Sequence, residues 1–474
     1  MNKYVLSLAV LTAFAFALSS CSDSSEDNPG SLKDVEFEGA NAVIDVYAGD
    51  TLDFKIKNLN GFYHQLKLND VLVSQWIEEK DGSTTCRIVI PPRIGSGNLV
   101  VFNKENEQIV GPAINYHKKY VRVFMEGYYL GSGMTRVQDD AMALYDGTNV
   151  SLKTLRYAGF MTESDIHFAV FSVRRSTLNW TEFDYGLENI DYTYGGTGIA
   201  ASRDGENLYY FLRTNSEPYT DPMLSDVMEV PTATLAKANY TPAFYTQAAE
   251  RGKLGWVSGL ASDSKGNLFT VEHQRPYIQK ITNGLITRFA GSNEDRNADG
   301  TGIHAGFQTI QGIAIDGQDN LYVADSNRIR KITPAGVVTT LAGSTEAGKR
   351  DGAVADARFN NLAGIAIGDD GTLYVYDRGN KSIRIINAEH TQVSTLHMHE
   401  PWYFLPGAHD SHMPMTVDSK GNVYLLQSSK SDDDTFGSNG FNAFLFEDNI
   451  PGEIFDDIIT MQGGTGWAGK LIGQ

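Results

Sequence analysis

Four of the ten histidines, His397, His399, His409 and His412, fall in one short segment around the aromatic run Trp402, Tyr403, Phe404. Flat aromatic rings stack on the C–H faces of sugars, while imidazole, carboxylate and guanidinium groups hydrogen-bond hydroxyls. That chemistry nominates Trp402 and Tyr403 as platforms and His409 and Asp410 as orienting groups. A second segment, His273-Gln274-Arg275-Pro276-Tyr277, carries the same residue types, with Trp256 a little before it. Trp256 and Tyr277 therefore join the platforms, and His273 and Arg275 join the orienting groups. The competing reading is that Trp402 to Leu405 plugs an apolar gap. Histidines at i, i+2 share one face of a strand, so His397, His399, His409 and His412 also admit a zinc reading. No helical pair or fixed ligand spacing supports it, and neither a metal nor another cofactor is assigned.

These residues must be positioned by something regular, and the chain supplies it as repeats. Gly312 to Ile332 (GIAIDGQDNLYVADSNRIRKI) and Gly364 to Ile386 (GIAIGDDGTLYVYDRGNKSIRII) read alike, and Gly259 to Ile281 is a degraded third copy. Their glycines advance by 53 and then 52 residues. Each copy is an alternating apolar run, a tight Asp/Gly/Asn turn, and two more alternating runs, which is a blade of antiparallel sheet. Further blade starts stand at Gly198 and at Met413, and an eroded one spans Thr135 to Lys153. Six blades follow, a number that suits a propeller. The strand from Tyr120 to Glu126 is expected to join the last blade and close the ring.

Strand direction alternates within a blade. Connections between strands two and three, and between one blade and the next, therefore share a face. The first-to-second turns are minimal, whereas the inter-blade segments Gly291 to Ile310 and Gly343 to Leu362 are long. Long loops on a rigid scaffold are where recognition concentrates, so this face is the expected site. The two long segments share a frame of Gly291, Asp299-Gly300 and Phe307 against Gly343, Asp351-Gly352 and Phe359. A repeated frame predicts a structural role, packing the segments onto the ring. The histidine-rich segment after the third clear copy breaks that frame, as does His273 to Tyr277.

Gly312, Ile313, Ala314, Asp316, Asn320, Leu321, Tyr322, Val323, Ala324, Asp325 and Asn327, with their counterparts from Gly364 to Asn380, resemble the NHL-repeat family. The Gly-His and Trp-Asp pairs of WD40 blades are absent. Glu272, Asp325 and Asp377 each lie 13 residues past a blade glycine and invite a calcium or catalytic reading. The resemblance implies instead that each caps the following turn.

The first residues form a short basic start and an apolar run, Tyr4 to Leu18, too short for a membrane-spanning helix. It ends in Leu18-Ser19-Ser20-Cys21, which resembles the lipobox of bacterial lipoproteins and implies acylation of Cys21. The competing reading is an ordinary secretory signal. Residues 1–20 are thus expected to be a lipoprotein signal peptide and 21–33 a disordered acidic tether, similar to surface-export signals of Bacteroidota lipoproteins. Val35 to Tyr116 alternates in short strands with turns between them, a β-sandwich pattern. Its Ala48-Gly49-Asp50 opening, its Val89-Ile90-Pro91-Pro92 strand and its Ser96 to Phe102 close resemble the immunoglobulin-like IPT/TIG family. The expected fold class is all-β: an immunoglobulin-like β-sandwich over 34–117, then a six-bladed β-propeller over 118–474.

A formal net charge of −19 without a basic cluster disfavours nucleic acid. The only other cysteine, Cys86, leaves no disulfide framework and is expected in a strand interior. The expected function is non-catalytic binding of a polysaccharide by a lipid-anchored protein at the outer membrane, facing the cell surface, within a glycan-uptake system. The alternatives are a propeller enzyme acting on carbohydrate, for which no catalytic signature is present, and a scaffold docking an outer-membrane transporter.

Overall fold

The computed structural model describes residues 32–470 apart from 60–63, 74, 81–82, 128–132, 138–140, 146–149, 162–165, 174–189, 192–197, 217–223, 233–242, 251–252, 274, 293–296, 399–413, 429–438 and 450–467. Cys21, the apolar run before it and all but the last residues of the tether lie outside these residues. The chain divides into two compact units, Met1–His117 and Lys118–Gln474.

The N-terminal unit is two sheets. One runs in the order Glu36–Phe37, Thr51–Lys57, Ser83–Val89, Gln75–Lys80; the other runs Val43–Tyr47, Gln108–His117, Gly97–Phe102, Gln65–Leu68, Val71–Leu72. Alternation sets the facing: along Thr51–Lys57 only Phe54 and Ile56 are buried, as the period-two geometry of a strand requires. They join Leu66, Leu68, Cys86, Ile88, Leu99 and Val101 in one core. The Cys86 thiol is buried there, on the strand Ser83–Val89.

Among the described residues the C-terminal unit forms six antiparallel sheets. Their first strands are Gly133–Arg136, Ile199–Ala201, Val257–Ser262, Ile310–Ile315, Leu362–Ile367 and Met415–Val417. Each first strand neighbours the next, and the last neighbours the first. Close approach at this inner ring explains the repeat glycine. A Cβ on Gly259 would lie 3.0 Å from Ile313 of the adjacent sheet, and one on Gly312 would lie 3.3 Å from Ile365. Second strands are buried along their whole length, Leu268–Glu272, Leu321–Asp325 and Leu373–Asp377 alike. They are covered on both sides because neighbouring sheets pack face to face: Phe269 and Val271 meet Leu321 and Val323. Each fully buried aliphatic side chain contributes roughly 1.5–3 kcal/mol.

The ring is stitched through its last sheet. Tyr120–Gly127 pairs antiparallel with Asn439–Phe446 along its full length, from Tyr120 against Phe446 to Gly127 against Asn439. On its other side it pairs in parallel with Ala468–Lys470, a strand that the sequence does not announce.

The tight first-to-second turns are held by one carboxylate each. Asp316 accepts the backbone N–H groups of Gln318 and Asn320 at 2.8 Å, the Asn320 side-chain amide at 2.8 Å and the Tyr322 hydroxyl at 3.0 Å. Asp263 and Asp418 repeat the arrangement. Burial alone would raise the Asp316 carboxyl, but the donors from Asn320, Gln318 and Tyr322 outweigh it and hold the group below its ordinary value.

The carboxylates at the ends of the second strands do something other than cap the turn that follows. Asp325 accepts the backbone N–H groups of Gln308 at 2.7 Å and Thr309 at 3.0 Å, which belong to the segment entering its own sheet. Its other oxygen takes Arg328 at 2.8 Å and Arg330 at 2.9 Å. Asp377 likewise accepts Asn360 N–H at 2.8 Å and Arg384 at 2.9 Å, and of the following turn it takes only the Asn380 side chain. The turn-capping expectation is corrected because the incoming loop presents unpaired N–H groups nearer the carboxylate than the turn does.

Arg330 and Arg384, with no exposed side-chain surface, extend these pairs. Arg330 also donates to the carbonyls of Ala298 and Gly306 at 3.0 Å and to Asp299 at 2.8 Å, and its guanidinium lies 5.2 Å from the Phe307 ring centre. Arg384 donates to the carbonyls of Arg350 and Arg358 and to Asp351, and lies 4.9 Å from Phe359. The two long inter-blade segments are thereby folded onto the ring. Gly300–Thr301 and Gly352–Ala353 even add a fifth strand to the outer edges of the fourth and fifth sheets. They are scaffold, as their shared frame predicts, and not free recognition loops.

Removing Asp325 takes the carboxylate from the buried Arg328 and leaves Arg330 only the half-exposed Asp299, so Asp325→Ala is expected to destabilise the protein by about 3–5 kcal/mol in urea denaturation. A depressed carboxyl stabilises the fold above the ordinary aspartate range and loses that contribution as pH falls through the folded value. Stability is therefore expected to fall between about pH 4 and pH 2, and less steeply in Asp316→Asn than in the parent.

Candidate functional site

On the face of the inter-blade segments, the third sheet departs from its neighbours. Its carboxylate is Glu272, fully buried at the side chain, and its third strand Ile278–Thr282 carries Gln279 where the later repeats carry Arg330 and Arg384. No arginine from the strand can therefore reach the carboxylate. Arg275, from the following connection, takes that place at 2.7 Å from Glu272. The Gly255 N–H also donates to Glu272. Burial raises the Glu272 carboxyl above its ordinary value, opposed by the Gly255 N–H and by the charge of Arg275.

Four of the sequence-nominated residues stand near one another at this rim. The His273 N–H donates to the Trp256 carbonyl at 2.7 Å, which joins the two segments at the rim. His273 is exposed and Trp256 half-buried. Arg275 is 34% exposed at its side chain and lies 5.9 Å from the Tyr277 ring centre. Tyr277 is buried, with Arg288 over its ring at 4.0 Å, so it packs the rim and offers no free ring face. Trp402, Tyr403, His409 and Asp410 lie outside the described residues, as do His399 and His412. His397 is placed by its carbonyl, which accepts the Tyr120 N–H at 2.8 Å. The histidine segment thus leaves the ring beside the closing strand.

A second concave feature escaped the sequence reading. The first strands enclose a central cavity of about 510 Å³. Its walls are the small and aliphatic residues of the repeat openings, including Ala200, Gly259, Gly312, Ile313, Gly364 and Ile365. At the end formed by the first-to-second turns, charged side chains cross the mouth. Arg136 of the first sheet makes a two-pronged pair with Asp369 of the fifth, at 2.9 and 2.8 Å. Arg203 of the second sheet reaches the Gly317 carbonyl and Asp319 of the fourth. Asp319 also accepts Ser264 of the third sheet, at 2.9 and 2.6 Å. Each arginine therefore spans an intervening sheet. The signal in the sequence was weak: single arginines just past eroded repeat openings.

No family model matches the chain. A stretch of 155 residues is 30% identical to human NHL repeat-containing protein 2, covering 30% of this chain and 21% of that protein. A stretch of 173 residues is 27% identical to mouse teneurin-4, covering 31% of this chain and 6% of that one. The chain thus spans about one-fifth or less of the length of these relatives. Among solved structures it is similar to a Bacteroides thetaiotaomicron protein of unknown function, at 13% identity and a TM-score of 0.42 over 89% of this chain and 100% of the other. It is also similar to an auxiliary nutrient binding protein from Bacteroides ovatus, at 14% identity and a TM-score of 0.37 over 78% of this chain and 100% of the other. The repeats of the C-terminal unit are similar to those of an NHL repeat-containing protein, and their sheets stand side by side in a ring, the arrangement of a β-propeller.

If Glu272 holds the rim as its contacts indicate, Glu272→Ala should leave the Gly255 N–H without its acceptor. Hydrogen exchange at Gly255 is then expected to accelerate about tenfold or more, measured by mass spectrometry at neutral pH, with little change at the remote Asp418 turn.

Proposed function

We propose that this protein is a non-catalytic polysaccharide-binding protein, anchored to the outer membrane by lipid on Cys21 and facing the cell surface. In this reading the six sheets are the blades of a six-bladed propeller, and the N-terminal unit is an immunoglobulin-like IPT/TIG module that spaces the propeller from its anchor. The ligand lies on the long-loop face. Trp256, Trp402 and Tyr403 supply stacking surface, and His273, Arg275, His409 and Asp410 orient the hydroxyls. Placement within a glycan-uptake system belongs to the same proposal.

One observation carries the reading: where the fourth repeat carries Ser326-Asn327, this rim carries an exposed His273 and a 34% exposed Arg275, with the half-buried Trp256 on the neighbouring strand end. Sugar recognition needs that pairing of ring face and hydrogen-bonding edge. The burial of Tyr277 removes it from the platforms and leaves it beneath them.

The test is affinity electrophoresis of the full-length Cys21→Ala protein through gels containing individual polysaccharides. One polysaccharide should retard it without releasing new reducing ends. Trp402→Ala and Tyr403→Ala should abolish the retardation, and Trp256→Ala should weaken it by about tenfold. Free migration in every gel would sink the proposal, and new reducing ends would favour the carbohydrate-active alternative. Lipid attachment is checked separately: radiolabelled palmitate should enter the parent protein and not Cys21→Ala.

A further inference from the structure

We infer that the mouth of the central cavity at the first-to-second turns is a second binding site, for a small hydroxylated solute bearing a carboxylate, with Arg136 as its anchor. It lies at the opposite end of the ring from the polysaccharide face and does not depend on that reading.

The inference starts from the form of one ion pair. Both terminal nitrogens of Arg136 meet the two oxygens of Asp369, at 2.9 and 2.8 Å. This fork-to-fork geometry is the one in which a guanidinium grips a free carboxylate. The partners are unequally held. The Arg136 side chain is 25% exposed and lines the cavity, whereas Asp369 is 64% exposed and sits in the turn Gly368 to Thr372. A pair with so exposed a member contributes little to stability, so an incoming carboxylate can take its place at small cost. Asp369 thus acts as an internal stand-in for the ligand's acid group.

The surroundings match. Arg203, on the adjacent sheet and the same cavity wall, is 45% exposed and supplies a second positive charge. Of the other carboxylates at the mouth, Asp316 is taken up by the donors of its own turn and Asp319 by Ser264 and Arg203. Gly368 and Asp369 also border a second cavity of about 220 Å³. Tyr120, Tyr374, Asp370, Asp418, Lys420 and Phe446 line that cavity, rings together with groups able to meet hydroxyls. A ligand whose carboxylate occupies the Arg136 fork is therefore placed between the central cavity, lined by aliphatic and hydroxyl-bearing residues, and an aromatic, hydroxyl-compatible recess. An acidic monosaccharide has this chemistry.

The experiment is isothermal titration of the full-length Cys21→Ala protein with glucuronate and with glucose, at neutral pH and low salt. Glucuronate should bind saturably and glucose should give no heat. Arg136→Gln should weaken glucuronate binding by about tenfold or more, and Arg136→Lys should fail to restore it because an ammonium lacks the fork. Asp369→Asn should tighten binding, since the internal competitor is gone; a purely structural pair would leave affinity unmoved or lowered. Trp402→Ala should bind glucuronate as the parent does, which separates this site from the polysaccharide face. Absence of saturable heat in both the parent and a folded Asp369→Asn protein, equal binding of glucose, or weaker binding by Asp369→Asn would each overturn the inference.

Discussion

A guanidinium without any solvent-exposed surface needs acceptors close at hand, and the C-terminal unit is arranged around two such groups, Arg384 meeting them with all three nitrogens and Arg330 with its two terminal ones. Arg330 and Arg384 each collect a carboxylate from the neighbouring strand, a carboxylate from the incoming segment and two backbone carbonyls. Desolvating such a group costs several kcal/mol, and the expense is offset only while all these acceptors stay in place. Strand, loop and edge are therefore fixed together. The loop cannot lift without stranding the charge, and the aromatic ring beneath the guanidinium, Phe307 or Phe359, is held by the same constraint.

The third sheet shows what happens when the arginine is withdrawn. With Gln279 in the strand, the carboxylate is lengthened to Glu272 and draws its cation from the loop instead. Arg275 turns inward to meet that carboxylate, while the His273 N–H keeps to the Trp256 carbonyl the bond that Ser326 makes to Thr309 in the fourth sheet. Divergence of the loop and loss of the strand arginine are two sides of one electrostatic rearrangement. The rim is correspondingly firm, since its residues are tied to a buried charge.

Much of this was legible in the residues, and the part that was not has physical reasons. Alternation and turn chemistry disclose the repeated sheets, and Gly259 and Gly312 mark close approaches at the inner ring where a side chain would crowd its neighbour. The frame shared by Asp299, Phe307, Asp351 and Phe359 likewise announces packing. Arg330 and Arg384 stand in the repeat in plain view, but an arginine in an alternating strand reads as a solvated edge until its partners are seen. Those partners lie about 30 residues away, at Asp299 and Asp351. The Arg136 to Asp369 pair joins residues 233 apart, and no local pattern can announce such a contact. Tyr277 reads as a platform because a sequence does not show which rings another side chain will cover.

The closing strand has a consequence for how the ring is made. Tyr120–Gly127 gains its full-length antiparallel partner only when Asn439–Phe446 has been synthesised, and Ala468–Lys470 comes later still. Five sheets therefore leave the ribosome as an unclosed crescent whose first and last inner strands each lack a neighbour. Closure of the ring therefore waits for the last sheet, and a nascent chain stalled before that point carries exposed edges on both flanks, the kind of surface that chaperones bind.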